Sequence, residues 1–254
     1  MAVTTTSLGI LLLAAFLPPV IWMVVLRNTE RYGREPAGRV LRAFLWGAVV
    51  AVIVALVLSL VFLLVLEGTI APVYQFLGER GFADPVTLIA VVVVAPFVEE
   101  FAKALGVLRV RRFIAEPEDG LVYGGSAGLG FAATENLFYG LAVLLASDGS
   151  LGASLLLIGI RSVSSAFLHA TATASTGYGI AKRKVWGESA LPWYLLAVAL
   201  HASFNFLASL GAQMSATLGE GAALIGLVAA IAFGLLGFAL IRKKIREKDA
   251  PWPS

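Results

Sequence analysis

The 254-residue chain contains no cysteine, which excludes disulfide staples, thiolate nucleophiles, zinc knuckles and iron–sulfur ligation together. Charge is scarce: Asp, Glu, Lys and Arg make up 14% of the chain, against roughly 25% in soluble domains. With 59% hydrophobic residues and a mean hydropathy of +0.89, a water-soluble fold is excluded. Histidine occurs only twice, at His169 and His201. Chemistry is left to Glu, His, Asn, Ser and Lys.

Long apolar runs, by contrast, are plentiful. Crossing roughly 30 Å of hydrocarbon takes about 20 helical residues, and seven stretches qualify: 8–26, 43–66, 86–108, 121–146, 153–181, 190–212 and 222–241. The expected fold is therefore all-α, a polytopic membrane helical bundle of about seven transmembrane helices. The first run follows MAVTTTS, which has neither a basic n-region nor a small-residue cleavage site, so it reads as a helix and not a signal peptide.

The basic residues orient the bundle. Apart from Arg80, Lys103 and Arg161, all 19 lysines and arginines fall in 27–42, 109–119, 182–189 and the tail from 242 onward. These segments alternate with the apolar runs so that all four lie on one side. The positive-inside rule makes that side cytoplasmic, with the N-terminus outside, the C-terminus cytoplasmic and an odd number of spans. A pI of about 9.3 thus reflects the membrane side and not a nucleic-acid partner. The longest loop, 67–85, is short, and no linker or low-complexity tract interrupts the pattern. Residues 1–254 form one membrane domain.

The fourth run carries Gly120, Gly124 and Gly128 at four-residue spacing, a small-residue face that lets a neighbouring helix approach closely. Polar residues stand out against such apolar surroundings. The third run reads VVVVAPFVEEFAKALGVL, placing Glu99, Glu100 and Lys103 in the span. A charge at the bilayer centre costs about 2.5–3.5 kcal/mol on the insertion scale, so such residues persist where they pair or work. Glu99 and Lys103 share a helix face at i,i+4, a favourable Glu-to-Lys order. That pairing leaves one carboxylate over.

The fourth run adds Glu135 and Asn136, with Tyr139 one turn on. The fifth carries Arg161 and His169, separated by a Ser-rich turn at Ser162, Ser164 and Ser165. His201 and Asn205 share a face of the sixth. Measured at about 1.5 Å per residue from each cytoplasmic end, Glu99, His201, His169 and Glu135 lie about 14, 17, 18 and 21 Å deep. Four helices deliver acid and imidazole groups to one layer.

Amide hydrolysis needs a base for water, an acid for the leaving amine and donors for the oxyanion. Glutamate, histidine and asparagine supply that set. Two histidines with carboxylates could also hold a divalent metal such as zinc. No HExxH motif is present, and the expected site is metal-free, with zinc as the alternative. A proton- or cation-coupled transporter using the same buried groups is the main rival function, although no inverted repeat of the kind common in transporters is apparent.

These residues carry a family resemblance. EEFAK (Glu99, Glu100, Lys103), FAATE (Phe131, Glu135), the lone His169 and HASFN (His201, Asn205) resemble, in order and helix placement over about 86–212, the PrsW family of bacterial intramembrane proteases, within the group that includes CAAX-prenyl endopeptidases. The resemblance implies a catalytic core in 86–212 and site-1-type cleavage of a single-pass membrane protein, such as an anti-sigma factor, in the bacterial inner membrane. It implies Glu99 as the water-activating base, Glu100 and Lys103 tuning it, and His201 and Asn205 polarising the scissile carbonyl. Glu135 or His169 is then the partner acid. Arg161 neutralises Glu135 or anchors its own helix, and Asn136 supports the site.

Overall fold

Seven helices long and apolar enough to cross a membrane are present in the computed structural model, which describes residues 4–66, 69–219 and 221–249. They are α1 (Thr5–Arg27), α2 (Ala37–Leu66), α4 (Pro85–Phe113), α5 (Pro117–Ala146), the pair α6 (Leu151–Val163) and α7 (Ser165–Trp186) forming one span, α8 (Leu191–Leu218) and α9 (Gly221–Lys248). All seven expected runs are helical, and no strand occurs among the described residues. The segment expected as a plain loop contains a short helix, α3 (Ala71–Gly78), with Pro72 in its first turn. There the missing N–H has no helical partner to lose. Residues 67 and 68 lie outside the described part.

The central element is α5, in which every residue from Pro117 to Ala133 is buried. Its glycines explain how it can be so enclosed. A Cβ on Gly120, Gly124 or Gly128 would lie 2.2 Å from Gly177 O, 2.3 Å from Thr173 O or 2.1 Å from His169 O. The small-residue face therefore seats α7 directly against α5. On the opposite side a Cβ at Gly130 would come within 1.9 Å of Phe44 O, so α2 is equally close.

Two spans contain π turns, Trp46–Ala51 in α2 and Ala90–Val94 in α4. Such turns disturb the regular carbonyl pattern, and within hydrocarbon every backbone group needs an internal partner. Neighbouring side chains supply two of them. Thr134 Oγ1 of α5 donates to Ala48 O at 2.6 Å, and Asn205 Nδ2 of α8 donates to Val91 O at 2.7 Å.

The break between α6 and α7 falls in the expected Ser-rich turn. Ser164 takes φ −118° and ψ −78°, and the Ser162 and Ser164 hydroxyls donate back to Ile158 O (2.7 Å) and Ile160 O (2.8 Å).

At one end of the bundle the four basic segments meet. Arg27 Nε donates to Glu35 O at 2.6 Å, Arg242 Nε to Thr29 Oγ1 at 3.1 Å, and Lys184 Nζ to Arg112 O at 3.1 Å. Asp249 accepts the backbone N–H groups of Arg31 and Tyr32 at 2.5 and 3.1 Å. The α1–α2 loop also buries two carboxyls, Glu30 and Glu35. Glu30 Oε2 accepts the Glu35 N–H at 3.0 Å, and Tyr123 donates to Glu35 Oε2. Burial pushes Glu30 up from 4.5 to about 8 and Glu35 up from 4.5 to about 7.

Candidate active site

The polar residues expected from the sequence converge where α4, α5, α7 and α8 pack together. Lys103 is at the hub with no exposed surface. Its ammonium donates to Glu99 Oε2 at 3.2 Å, to Glu100 Oε1 at 2.9 Å and to His169 Nδ1 at 2.9 Å. The Phe131 ring lies beneath it at 4.1 Å. Three ammonium donors thus meet three acceptors, which is what a fully buried lysine requires.

Glu100 is as buried as Lys103 and is held from three directions. Besides Lys103, His201 Nδ1 is 3.0 Å from Oε1 and Thr173 Oγ1 donates to Oε2 at 2.8 Å. A carboxylate so surrounded accepts, which places a proton on His201 Nδ1, and in the neutral ring Nε2 then keeps its lone pair. That Nε2 is 3.8 Å from Glu99 Oε2.

His169 is constrained in the opposite sense. Because an ammonium only donates, its Nδ1 accepts from Lys103, and its Nε2–H donates to Glu135 Oε2 at 2.9 Å. Glu135 also takes Arg161 Nη2 at 2.6 Å, while Arg161 Nε donates to Asn136 Oδ1 at 2.9 Å. The helix break at Ser164 makes this possible, since Arg161 approaches from the end of α6 and His169 from the start of α7. The two imidazole rings meet edge to face, centroids 4.8 Å apart.

Glu99 and Glu135 are the carboxylates with some access, at 13% and 24% side-chain exposure. Both line a cavity of about 140 Å³ between α2 (Val52, Leu56) and α5 (Phe131, Phe138). Beyond Ala55, α2 has no fully buried described residue, and the cavity, which Ser59 also lines, lies beside that lightly covered outer half.

Asn205 sits apart from this network. Its amide donates to Val91 O, bridging α8 to the π turn of α4 one turn from His201. Asn136 is fully buried, and its Nδ2 has no partner among the described residues. Thr173 escaped the sequence reading, and Ser165, read there only as part of the Ser-rich turn, also contributes, its hydroxyl accepting from Arg161 Nη2 at 3.1 Å. Thr173 lies one helical turn after His169, the spacing that could have revealed it.

One donor atom each from Glu99, His169 and His201 lie within 4.8 Å of one another. Two imidazoles and a carboxylate beside an open cavity form a donor set suited to a catalytic divalent metal. His201 fits directly, its Nδ1–H being held by a carboxylate in the way that orients metal-bound histidines. His169 would fit in its other tautomer, with Nδ1 protonated and Nε2 turned from Glu135, which requires the Lys103 ammonium to leave Nδ1.

Residues 35–240 match the family described as PrsW family intramembrane metalloprotease. Protease PrsW of Clostridioides difficile (strain 630) is 31% identical over 208 residues, covering 78% of each chain. No solved structure is similar to the chain. The metalloprotease description, with the Glu99, His169 and His201 grouping, shifts the balance away from the metal-free site expected from the sequence.

Proposed function

The chain belongs to the PrsW family of intramembrane metalloproteases, and from that premise we propose that it hydrolyses a peptide bond of a single-pass membrane protein, by site-1-type cleavage of an anti-sigma factor or similar regulator in the bacterial inner membrane. The observation carrying this reading is that four helices gather two carboxylates that line a cavity beside α2 and two buried imidazoles, one donor atom each of Glu99, His169 and His201 lying within 4.8 Å of one another.

Glu99, His169 and His201 are the residues that would hold a divalent metal such as zinc. Such an ion supplies Lewis acidity and a lowered pKa for water. Glu135, held by Arg161, would receive the proton of the attacking water and return it to the departing amine. Glu100 and Thr173 hold His201 in the required tautomer, and Lys103 fixes the two adjacent glutamates. A second reading is favoured by the 3.8 Å approach of His201 Nε2 to Glu99. In a metal-free site Glu99 itself takes the water's proton, with His201 polarising the carbonyl.

Glu99→Gln is expected to stay folded in detergent and to lose cleavage of a membrane-tethered substrate in co-expression. Wild-type cleavage by this variant would overturn the assignment, and gradient-driven uptake without any cleavage product would favour a transporter. Elemental analysis separates the two site chemistries. Stoichiometric zinc that is lost in His201→Ala supports the metal form, and its absence from active protein supports Glu99 as the base.

A further inference from the structure

Away from the active site, α5, α7, α8 and α9 enclose a larger cavity of about 620 Å³. Its mouth lies at the basic end of the bundle, where Lys243, Lys244 and Glu247 of α9 face Tyr178 of α7 and Trp193 of α8. The walls run inward from Leu240 to Phe233 on α9, from Trp193 to Leu200 on α8 and from Tyr178 to Thr171 on α7. Each interval is seven residues, or about 10 Å at the helical rise. Three helices therefore agree on the depth of one groove.

The groove is apolar beyond its mouth. Its two hydroxyl-bearing residues are satisfied within their own helix, Thr171 donating to Phe167 O at 2.7 Å and Ser175 to Thr171 O at 3.1 Å. Apolar cavities do not hold ordered water, so the fitting occupant is hydrocarbon. The mouth has the character of a membrane interface. Tyr178 and Trp193 pack edge to face at 4.7 Å, and Lys182 Nζ lies 5.4 Å from the Trp186 and Trp193 rings. Aromatic and lysine side chains collect at that depth.

Charge narrows the choice of occupant. Two lysines face one carboxylate at the mouth. Lys243 Nζ is 3.8 Å from Glu247 Oε1 with both side chains half exposed or more, a weak pair. Lys244 makes no ion pair among the described residues. We propose that this cavity binds an anionic membrane phospholipid, its phosphate against Lys243 and Lys244 and one acyl chain lying along Leu240, Leu236 and Phe233. The walls include the two helices that carry His169 and His201, with Thr171 two residues after the first and Leu200 immediately before the second.

The test is native mass spectrometry of the purified full chain with phosphatidylglycerol or phosphatidylcholine of identical acyl chains. Wild type is expected to retain one phosphatidylglycerol at least tenfold more strongly than phosphatidylcholine. Lys243→Gln with Lys244→Gln should bring the two lipids to parity. Ser175→Phe, which puts a ring into the groove and leaves the lysines in place, should lose both. Monodispersity and helical circular dichroism check the fold of each variant. Equal retention of the two lipids by wild type overturns the proposal, as does a phosphatidylglycerol adduct untouched by either variant or a second protein chain in the groove.

Discussion

Lys103 shows what a single buried charge demands. Its ammonium has no exposed surface and is satisfied by Glu99, Glu100 and His169. Removing one partner of a buried ionic cluster costs about 3–5 kcal/mol, so Lys103→Met should melt far below wild type in detergent, with two adjacent carboxylates left uncompensated. Lys103→Arg should not restore it, because a planar guanidinium cannot reproduce the three-way geometry of an ammonium. The charges were legible in the sequence because ions in an apolar run stand out. Thr173 was not, and Ser165 was visible only as part of a Ser-rich turn, because hydroxyls are common in membrane helices and usually bond to their own backbone. Asn205 was legible as a polar residue one turn from His201, but its partner, Val91 O, is set by a π turn that no residue pattern announces. The Glu30 and Glu35 carboxyls give a pH prediction. Both have folded values raised above 4.5, to about 8 and about 7, chiefly by burial. Asp119 and Asp249 add to the repulsion at Glu30, and Tyr123 and Arg39 moderate it at Glu35. Their contribution to stability is fully present below 4.5 and is lost as pH rises through about 7 and about 8, because the unfolded chain releases its protons first. Glu30→Gln keeps the acceptor for the Glu35 N–H and removes the ionisation. It should melt several degrees above wild type at pH 9 and close to it at pH 5, and equal melting at both values would refute this account.

Helix packing turns the glycine pattern into a mechanism for aligning the site. The four-residue spacing of Gly120, Gly124 and Gly128 announced a close helix contact, but not that the partner would be the helix bearing His169. That identity depends on the chain turning at Ser164 so that α7 returns along α5. A Cβ at Gly128 would sit 2.1 Å from His169 O, so Gly128→Ala must push α7 outward. Overpacking of this kind costs about 1–3 kcal/mol, and a shift of about 1 Å at a catalytic group can cost about 100-fold in rate. The variant should therefore lose more activity than stability, with cleavage rate and melting temperature as the two readouts. Gly159 is the control. Nothing lies within 4 Å of where its Cβ would be, and Gly159→Ala should raise stability by about 0.5–1 kcal/mol through helix propensity alone with cleavage unchanged.

For the whole molecule, the seven spans were legible because membrane thickness fixes their length, whereas the light burial of the outer half of α2 and the broken fifth span come from tertiary packing. The gathering of basic segments at one end was also legible, and in the structure Arg27, Lys184, Arg242 and the Asp249 cap meet there. Which side of the membrane that end faces is a separate question, for which the positive-inside rule predicts the cytoplasm. The absence of cysteine makes the answer directly measurable, since any introduced cysteine is the only thiol in the chain. Glu79→Cys lies just after α3 at the end holding only Arg80, and Lys248→Cys ends α9 at the basic end. A membrane-impermeant maleimide applied to intact cells should label position 79 and spare position 248, with both labelled after lysis. Labelling of position 248 in intact cells would invert the bundle. It would also move the proposed phospholipid site to the outer leaflet, where the surface potential that attracts lysines to anionic lipid is weaker. The topology experiment therefore also bears on how strongly Lys243 and Lys244 select their lipid.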